Sequence, residues 1–498
     1  MQVHQVFDDH ILLTPEESRQ ADAWTIDSGV AGIDLMEAAG RAVADIIVDY
    51  VGTPLEVGGE IIVLCGPGNN GGDGYVVARH LDEWGYPVRV VADLGISLKG
   101  DAKIASKRWR GPCDSAGEKP LKGASVIIDS IFGTGLSKPV EGVFADMINE
   151  ANDLDAFKLA VDLPSGLNAL TGSPMGACFC ADATVTFFHR KVGQIVAPGR
   201  FYCGGADHIH VADIGISDAA IEEITLQHFS NEPGLWSHAY PFQGPASHKY
   251  DRGHLLVLGG KEPTLGASRL ASMAALRAGA GLVTLAASSE TYSIQAGALD
   301  DVMVRRFDSA FGFIGIMSDP KIGTVLLGPG AGVGEKTAEL VMQATLKGRN
   351  MVLDADALTS LVGRLDVLSN VTGCDIVLTP HEGEFARLFP ELDYQTDRVS
   401  AARCASKLSG CTVVLKGVST VVAGTDGRVS VACNAPSWLS VGGTGDVLSG
   451  IIGSLLAQGM PAFEAASAAV WLHGEAGMRA GRGMIASDLL KQIANVLP

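Results

Sequence analysis

The sequence predicts an α/β protein built from two domains in tandem, each with a mainly parallel sheet covered by helices. Three observations lead to this fold class. The chain has 498 residues, more than one hydrophobic core usually serves. Short apolar runs alternate with stretches of helical periodicity, which is typical of buried parallel strands. Between about Ile214 and His248 the alternation stops and prolines become frequent. We therefore expect a first domain at residues 1–220, a linker at 221–245 and a second domain at 246–498.

The first predicted element is a helix that starts after Thr14. Thr14 is placed as the N-cap, Pro15 as the first helical residue and Glu17 as the partner that completes a capping box. A second helix is predicted in GIDLMEAAGRAVADIIVDY, where apolar residues recur at helical spacing. The strands predicted after it are EIIVLC, PVRVVADL, ASVIIDSIF, FKLAVDLP and ATVTFF.

The same alternation resumes beyond the predicted linker, without a sequence repeat that relates the two halves. The predicted strands of the second half are HLLVLGG, GLVTLAA, GTVLLGPG, NMVLDADAL, DIVLTPHEGEF, CTVVLKG and VSTVVAG.

Composition narrows the possible partners and the compartment. The chain has 37 basic and 56 acidic residues, a net charge of −19, so nucleic acid is not expected as a partner. No apolar stretch approaches the ~18 residues of a membrane span, and the N-terminal segment lacks the basic start of a secretory signal. The nine cysteines are scattered, which favours reduced thiols over a zinc site. We expect a cytoplasmic protein without a membrane partner.

A glycine loop follows the first predicted strand of the first domain. Gly66, Gly68 and Gly71 satisfy the G-x-G-x-x-G pattern, and Asp93 follows about 20 residues later, as in dinucleotide-binding domains. The pattern predicts a Rossmann-like, three-layer domain. However, Pro67 removes one possible amide donor, and the residues after it are more polar than a plain phosphate loop requires.

Two further loops follow later strands, DSIFGTGLSKP and DLPSGLNALTG. The carboxyl ends of parallel strands share one crevice, so Asn70, Asp129 and Ser165 could converge there. Their oxygen atoms suit a hard cation, and Asp162 could serve as an acid or base. Each loop alone also fits a structural turn or a helix cap. The three together favour a binding site.

These three loops, in this order after LTPEESRQAD, resemble the NAD(P)H-hydrate epimerase family over about residues 10–215. That family epimerises the hydrated form of NADH or NADPH at C6 of the nicotinamide ring, so the resemblance implies a nucleotide substrate and no hydride transfer. It also implies Asp162 as the catalytic acid or base and a potassium ion held by Asn70, Asp129 and Ser165. The residues implied to contact the hydrate are Asn69, Asn70, Gly71, Gly72, Asp73, Gly133, Thr134, Gly135, Leu136, Ser137, Lys138, Pro139 and Asp162.

A second glycine-rich motif, VGGTGDVLSG, opens a long apolar helix in the second domain. The free amides at such a helix start can bind the charge of a transferring phosphoryl group. Asp446 lies in the first turn, where it could deprotonate a hydroxyl nucleophile. No G-x-x-x-x-G-K-[ST] motif is present, which disfavours a P-loop enzyme.

The motif is accompanied by KYDRGHLLVLGG, GPGAG, DADAL, TPHEGEF and LKGVST. As a set they resemble the ribokinase-like NAD(P)H-hydrate dehydratase family over about residues 240–498. The resemblance implies dehydration of the S hydrate through a phosphorylated intermediate, with Asp446 as the catalytic base and with ADP and Mg²⁺ as cofactors. The hydrate contacts implied are Ala267, Gly330, His381 and Asp446, and the nucleotide contacts implied are Lys416, Gly417, Val418, Ser419, Thr420 and Gly445.

Two details of the second domain stay open. Lys261 follows Gly259 and Gly260 where many relatives place Ser, which puts phosphate contacts from that turn in doubt. Glu382 and Glu384 are candidates to help position magnesium.

Two other functions compete with this interpretation. One is a vitamin-type small-molecule kinase fused to a non-catalytic Rossmann-like binding module. The other is a first domain that has lost catalysis and serves as an interaction scaffold, although its loops keep Asp73, Asp129 and Asp162. The partners we expect are the NADH and NADPH hydrates and ADP, and we expect a homo-oligomer.

Overall fold

The computed structural model describes residues 10–117, 121–244, 248–369 and 371–498. They form two compact units, which divide between His228 and Phe229, and His10 groups with the second. Residues 1–9, which enter the argument about a secretory signal, lie outside the described part. No helix within the described part combines the length and the apolar character that crossing a membrane would require.

The first unit alternates strands and helices as predicted. Its helices are α1 (Pro15–Asp27), α2 (Gly32–Val51), α3 (Asn69–Glu83), α4 (Gly100–Arg108), α5 (Gly142–Asn152), α6 (Val192–Ile195), α7 (Gly199–Tyr202) and α8 (Ala219–Glu222). Its strands are β1 (Leu12–Leu13), β2 (Glu60–Cys65), β3 (Val88–Ala92), β4 (Cys113–Ser115), β5 (Ala124–Ser130), β6 (Phe157–Val161), β7 (Ala183–Phe187), β8 (Arg190–Lys191) and β9 (Ile209–Ala212). The capping box of Thr14 and Glu17 is present at α1, which confirms that prediction.

The main sheet of the first unit is parallel, in the order β4-β3-β2-β5-β6-β7-β9. Side chains of β2 alternate between two cores. Ile61 and Val63 pack with α2 and α3, whereas Ile62 and Leu64 pack with α5 on the opposite face. The strand is therefore apolar on both faces, which explains its continuous hydrophobic run. The predicted three-layer α/β arrangement is confirmed.

The second unit has a larger sheet and a longer series of helices. Its strands are β10 (His228–Ser230), β11 (His254–Leu258), β12 (Leu282–Ser288), β13 (Met303–Phe307), β14 (Thr324–Leu327), β15 (Asn350–Leu353), β16 (Ile376–Leu378), β17 (Thr412–Leu415), β18 (Thr420–Ala423) and β19 (Val429–Ala432). Its helices are α9 (Pro233–Trp236), α10 (Leu265–Arg277), α11 (Tyr292–Ala296), α12 (Ala310–Met317), α13 (Glu335–Leu346), α14 (Ala355–Ser360), α15 (Asp366–Ser369), α16 (Glu382–Leu388), α17 (Arg398–Ser409), α18 (Thr444–Ala457), α19 (Ala462–Ala480) and α20 (Ala486–Val496).

The sheet of the second unit has the order β10-β19-β18-β17-β16-β15-β14-β11-β12-β13. Strands from β13 to β17 pair in parallel, and β17, β18 and β19 pair antiparallel. In this order β12 lies on one side of β11 and β14 lies on the other. The direction in which successive strands are added to the sheet therefore reverses between β11 and β14, and α/β folds place ligands at such a switch point. The predicted mainly parallel α/β arrangement is confirmed here too.

The segment 221–245, for which the sequence predicts a linker, contributes to the second sheet. Strand β10 lies at the sheet edge beside β19, and the amide of Asn231 donates to the carbonyl of Val431 at 2.9 Å. The Asn231 side-chain nitrogen also donates to the carbonyl of Ser467 at 2.8 Å. A short edge strand needs little periodicity, because only one of its sides is paired. The lack of periodicity in this segment therefore explains why the sequence analysis does not predict a strand there.

Candidate active sites

A cavity of about 800 Å³ lies at the carboxyl ends of the strands in the first unit. The loops after β2, β5 and β6 and one face of α1 form its wall. The predicted hydrate contacts that line it are Asn69, Asn70, Asp73, Gly133, Thr134, Gly135, Leu136, Ser137, Lys138, Pro139 and Asp162. Gly71 and Gly72 do not line it. They pack instead against the backbone of Gly66 and the side chain of Met36.

Asp162 stands at the centre of this arrangement, directly after β6. Its Oδ2 accepts a hydrogen bond from the amide of Thr134 at 3.1 Å, and its Oδ1 lies 2.9 Å from Nζ of Lys191. A Cβ on Gly133 would lie 2.7 Å from Oδ2, so only glycine allows the two loops to approach this closely. The backbone of Asp162 has φ = +63°, a conformation rarely adopted by residues with a side chain. Such strain commonly marks functional positions.

The electrostatics of the cavity separate its carboxylates. Burial raises the pKa of Asp162, but Lys191 and the hydrogen bonds from Thr134 and Thr186 together outweigh burial, and the net pKa is lowered. Burial raises the pKa of Asp73 well above its usual value, and the charges of Asp162 and Asp22 raise it further. Desolvation raises the pKa of Asp22 to about 6. The environment therefore shifts Asp162 towards its ionised form and Asp73 towards its protonated form, a division typical of acid–base pairs.

Lys191 and Asp22 are functional candidates that the sequence analysis misses. Lys191 is 1 % exposed and bridges Asp162, Thr186 Oγ1 and the carbonyl of Phe187. Nothing in its local sequence signals this role. Asp22 could have been found, because Ser18, Asp22 and Ile26 recur every four residues on α1 and all line the cavity.

The predicted cation ligands lie beside this cavity. Asp129 is fully buried at the end of β5, where Oδ1 accepts from Ser165 Oγ at 2.6 Å and Oδ2 accepts from the Ser165 amide at 2.7 Å. Asn70 is brought close because Ser130 Oγ donates to its carbonyl. Both polar atoms of the Asn70 side chain are buried and have no hydrogen-bond partner among the described residues.

The charge of Asp129 is also poorly compensated. Desolvation raises its pKa to about 6, against the hydrogen bonds of Ser165, and no basic side chain in the described part pairs with it. A buried carboxylate beside an unpartnered amide and a hydroxyl is a donor set that fits a hard monovalent cation. The residues present therefore fit the potassium ion that the sequence resemblance implies.

The second unit places Asp446 in the first turn of α18. Burial, with the charges of Asp354 and Asp356, raises its pKa to about 7 against the lowering effect of Lys416. Lys416 Nζ lies 2.9 Å from Asp354 Oδ1, and a Cβ on Gly445 would lie 3.4 Å from the same nitrogen. Asp446, Gly445 and Lys416 are therefore brought together as predicted, at the start of a helix whose amides can bind phosphate.

The loop that contains Lys416 and Gly417 is held by an arginine. Arg398 Nη2 donates to the carbonyl of Lys416 at 2.7 Å, and Arg398 Nη1 contacts Glu382 Oε1 at 2.7 Å. A Cβ on Gly417 would collide with Arg398 Nη2, so glycine is required for this contact. Val418 is exposed, Ser419 is buried, and Thr420 begins β18. Within residues 416–420 the side chain of Val418 is exposed, and those of Lys416 and Thr420 are partly exposed.

His381 forms the N-cap of α16. Its Nδ1 accepts from the amides of Gly383 and Glu384 at 3.0 and 3.3 Å, so the ring hydrogen is assigned to Nε2. Glu384 Oε2 in turn accepts from the His381 amide at 2.9 Å. Glu382 and Glu384, the candidates for magnesium, are thus occupied by Arg398 and by this capping box. A metal would therefore have to compete with Arg398 for Glu382, whose side chain is 47 % exposed, and with the capping box for Glu384.

Ala267 and Gly330 lie near one turn at the carboxyl end of β11. The carbonyl of Gly330 accepts from the Lys261 amide at 2.8 Å and from Thr264 Oγ1 at 3.1 Å, and Ala267 follows Thr264 on α10. Lys261 Nζ lies 3.0 Å from the position of a Cβ on Gly332. Lys261 therefore lies against the GPGAG loop.

The sequence analysis does not single out three further residues that lie near Asp446 and Lys416. Asp354 and Asp356 occur in the quoted DADAL motif, but only the structure shows Asp354 paired with Lys416 and Asp356 accepting from the Gly332 amide at 2.8 Å. His473 is the third. Burial lowers its pKa to about 4, against a hydrogen bond with Thr444 at the start of α18.

Two family models match this chain. Residues 32–193 match the family described as YjeF-related protein N-terminus, and residues 255–498 match the family described as NAD(P)H-hydrate dehydratase. A protein from Bacillus subtilis, the ADP/ATP-dependent NAD(P)H-hydrate dehydratase co-crystallised with ATP and Mg²⁺, is 26% identical; the match covers 52% of this chain and 95% of that chain with a TM-score of 0.47.

Two relatives are similar to this chain over nearly its whole length. The bifunctional NAD(P)H-hydrate repair enzyme of Salinibacter ruber is 34% identical over 97% of this chain and 96% of its own length. The protein of the same name from Moorella thermoacetica is 35% identical over 98% of this chain and 96% of its own length. Because this similarity extends over nearly the whole sequence, the chain belongs to the family of bifunctional NAD(P)H-hydrate repair enzymes.

Proposed function

We propose that the chain repairs hydrated NADH and NADPH in two consecutive reactions, one in each domain. Residues 1–220 interconvert the R and S hydrates at C6 of the nicotinamide ring, and residues 246–498 dehydrate the S form with ADP. The pairing is chemically useful, because a dehydratase that accepts one epimer leaves the other to accumulate. The observation that carries the proposal is Asp162, held ionised between Lys191 and the Thr134 amide on the wall of a ligand-sized cavity.

The chemistry of epimerisation requires a base and an acid. C6 of the hydrate carries both a hydroxyl group and the ring nitrogen. When a base removes the hydroxyl proton, the C6–N1 bond breaks and its electron pair moves to N1, which is then protonated. Addition of N1 to the other face of the resulting aldehyde, with return of the protons, inverts C6. Ionised Asp162 is suited to the first proton transfer, and protonated Asp73 can supply the proton to N1.

A potassium ion would be held by Asn70, Asp129 and Ser165. Bound there, it would supply positive charge that orients the polar groups of the substrate. The support for this assignment is the unpartnered Asn70 side chain and the uncompensated charge of Asp129.

Dehydration requires a better leaving group than hydroxide. Asp446 takes the proton from the C6 hydroxyl, whose oxygen attacks the β-phosphorus of ADP, and AMP leaves with the electrons of the broken P–O bond. The lone pair of N1 then expels phosphate from C6, and loss of a proton from C5 restores the dihydronicotinamide. A pKa of about 7 suits Asp446 to accept a proton near neutral pH. The amides at the start of α18 can hold the transferring phosphoryl group.

The remaining contacts proposed for the second site are those that the sequence resemblance implies. Residues 416–420 and Gly445 would hold the adenine nucleotide, with Lys416 as the cation nearest its phosphates. Ala267, Gly330 and the Nε2 hydrogen of His381 would contact the hydrate. Mg²⁺ would accompany the nucleotide and neutralise phosphate charge. Glu382 and Glu384 are engaged elsewhere. The carboxylates whose charges act on Asp446 are those of Asp354 and Asp356, which raise its pKa.

The direct test incubates the full chain with mixed R and S hydrates of NADH. With ADP, absorbance of the dihydronicotinamide should return for both epimers. Without ADP, only interconversion of the epimers should occur, as followed by chromatography. Phosphorylation of a vitamin alcohol without restoration of NADH would instead support the kinase alternative. Replacement of ADP by ATP determines which nucleotide is used.

The setting of the reaction remains a prediction. We propose that the enzyme acts in the cytoplasm as a homo-oligomer. None of the nine cysteines, which all lie in the described part of the chain, forms a disulfide, and this agrees with a reducing compartment. Cell fractionation tests the location, and light scattering of the purified chain tests the oligomeric state.

A further inference from the structure

A second cavity of about 470 Å³ adjoins the glycine loop of the first unit. It lies at the carboxyl end of β3, whereas the cavity with Asp162 is built on the loops after β5 and β6. Its polar wall includes Asp93 and Arg110, and its apolar wall includes Leu94, Ile96 and Trp109. The reaction at C6 uses none of these groups. The cavity is therefore available for a part of the substrate distant from the reacting ring.

The two cavities are neighbours across the start of α3. Pro67 and Phe144 line both of them. Helix α3 begins after Gly68, and no side chain caps its first turn. The amides of Asn69, Asn70 and Gly71 have no partners within the helix, and together with the helix dipole they favour an anion. The order along this edge is thus a cavity with an apolar and a charged wall, a helix start with free amides, and the cavity of Asp162 and Asp73.

A dinucleotide has matching parts in the same order. Its adenosine is mainly apolar with a ribose diol, its centre is a pyrophosphate, and its other end is the nicotinamide. In open α/β sheets a dinucleotide lies across the strand ends in this way, with an acidic residue after the second strand on the adenosine ribose. Asp93 directly follows β3, the neighbour of β2, and is in that position.

The hydrogen bonds of Asp93 leave room for a ligand. Oδ1 accepts from the Gly95 amide at 2.9 Å, which fixes the carboxylate in a turn. Oδ2 has no hydrogen-bond partner among the described residues, and it can accept from a ribose hydroxyl. Arg110, the cation of this wall, already donates from Nη1 to the carbonyl of Lys107 at 2.6 Å. Asp93 Oδ2 is thus a negatively charged acceptor without a hydrogen-bond partner among the described residues, on the same wall as Arg110, which keeps its positive charge and its other N–H groups.

We propose that this second cavity holds the adenosine half of the hydrate and that Asp93 makes the epimerase domain prefer the NADH hydrate over the NADPH hydrate. The inference rests on the proposed function of the first domain and extends it to the distant end of the substrate. NADPH carries a phosphate on the adenosine 2′-oxygen. In NADH that oxygen belongs to a hydroxyl group, which can donate a hydrogen bond to the Asp93 carboxylate. In NADPH the carboxylate would lose this donor and would also repel the phosphate.

The first test compares epimerisation of the two hydrates by the full chain. ADP is left out, so that the dehydration reaction does not take place. We expect kcat/KM to favour the NADH hydrate by about tenfold or more. Asp93→Asn keeps the acceptor for the Gly95 amide but removes the charge. It should lower kcat/KM for the NADH hydrate by about fivefold, raise it for the NADPH hydrate, and so bring the ratio close to one. Asp82→Asn, an exposed acid on α3, is the matched control and should change neither value.

A second measurement locates the nucleotide without using catalysis. Cys113 lines the second cavity, and Cys180 is another exposed thiol of the same unit outside both cavities. Burial raises the pKa of both thiols, so the alkylation rate of each is compared with and without nucleotide at the same pH. NADH should slow alkylation of Cys113 by iodoacetamide and leave Cys180 unchanged, as measured by peptide mass spectrometry. NADPH should protect Cys113 less.

The two measurements separate failure of the inference from failure of the proposed function. Epimerisation with no protection of Cys113 and no change of preference in Asp93→Asn would overturn the inference while the proposed function stands. Protection of Cys113 by NADH in a chain that does not epimerise would support nucleotide binding in this cavity and overturn the proposed function. An equal loss of activity with both hydrates in Asp93→Asn would show that Asp93 does not discriminate between them.

Discussion

Lys191 Nζ lies 2.9 Å from Asp162 Oδ1, and the exposed fractions of the two side chains are only 2 % and 13 %. The pair holds a carboxylate ionised in a place where burial alone would protonate it. Lys191 also contacts Thr186 Oγ1 and the carbonyl of Phe187, which fix the position of its ammonium group. The charge state of the proposed base is therefore set by tertiary structure, not by the local loop.

The first prediction concerns the proposed base of the epimerase domain. Asp162→Asn should slow interconversion of the R and S hydrates by about 10²–10⁴-fold, because the proton acceptor is lost. Asparagine tolerates positive φ, so the backbone of this position can be kept. ADP-dependent dehydration of the S hydrate should remain unchanged and reports that the chain is folded. Unchanged epimerisation in Asp162→Asn would remove Asp162 from the mechanism.

The second prediction separates the role of Lys191 from a purely structural one. Lys191→Met removes the cation that lowers the pKa of Asp162, so the acidic limb of the epimerase pH profile should move to higher pH. The unpaired buried carboxylate also costs stability, on the order of 3–5 kcal/mol. Thermal unfolding measures that cost independently of the pH profile. A loss of activity with no shift of the acidic limb would assign Lys191 only to structure.

The sequence predicts the fold because its periodicity reports burial on both faces of each sheet. Strand β2 illustrates this, since its continuous apolar run packs into two different cores. Edge strand β10 escapes prediction because a strand with one paired side needs no such pattern.

The sites are predicted to the extent that their residues follow strands directly. Asp129 and Asp162 end β5 and β6, and a parallel sheet brings such positions together. The sequence analysis does not predict Lys191 and Arg398, because they reach the site from other elements. Where the end of a long side chain lies depends on packing across the whole domain. Their contacts with Asp162 and the Lys416 carbonyl appear only in three dimensions.

The third prediction tests the independence of the two sites. Asp446→Asn should lower ADP-dependent dehydration by about 10²–10⁴-fold, because no carboxylate then accepts the hydroxyl proton. Epimerisation without ADP should keep its wild-type rate. Asp301→Asn, an exposed acid of the same unit, should alter neither reaction. If Asp446→Asn lost both activities although it unfolds at the wild-type temperature, the assignment of one site to each domain would be contradicted.

The fourth prediction follows from the opposite pKa shifts of the two proposed bases. Asp446 must be deprotonated to act, and its pKa is raised to about 7, so kcat/KM for dehydration should fall as pH drops through about 7. The pKa of Asp162 is lowered, so epimerisation should continue well below that pH. Measuring both reactions on one preparation between pH 5 and 9 provides the comparison, with roughly tenfold loss of dehydration per unit on the acidic limb. Superimposable profiles would count against these assignments.

The fifth prediction links potassium to the stability of the first unit through Asp129. The pKa of this carboxyl in the folded chain is about 6, above the unfolded value of about 3.9. Its contribution to stability is therefore greatest below pH 4 and is lost as pH rises through 6, by on the order of 3 kcal/mol. Potassium beside the ionised carboxylate would offset that loss.

K⁺ should thus raise the unfolding temperature of one calorimetric transition at pH 8 and have little effect at pH 4.5, relative to tetramethylammonium. Asp129→Asn has no charge to compensate, so its unfolding temperature should not depend on K⁺ at pH 8. A K⁺ effect of equal size in Asp129→Asn would place the ion elsewhere.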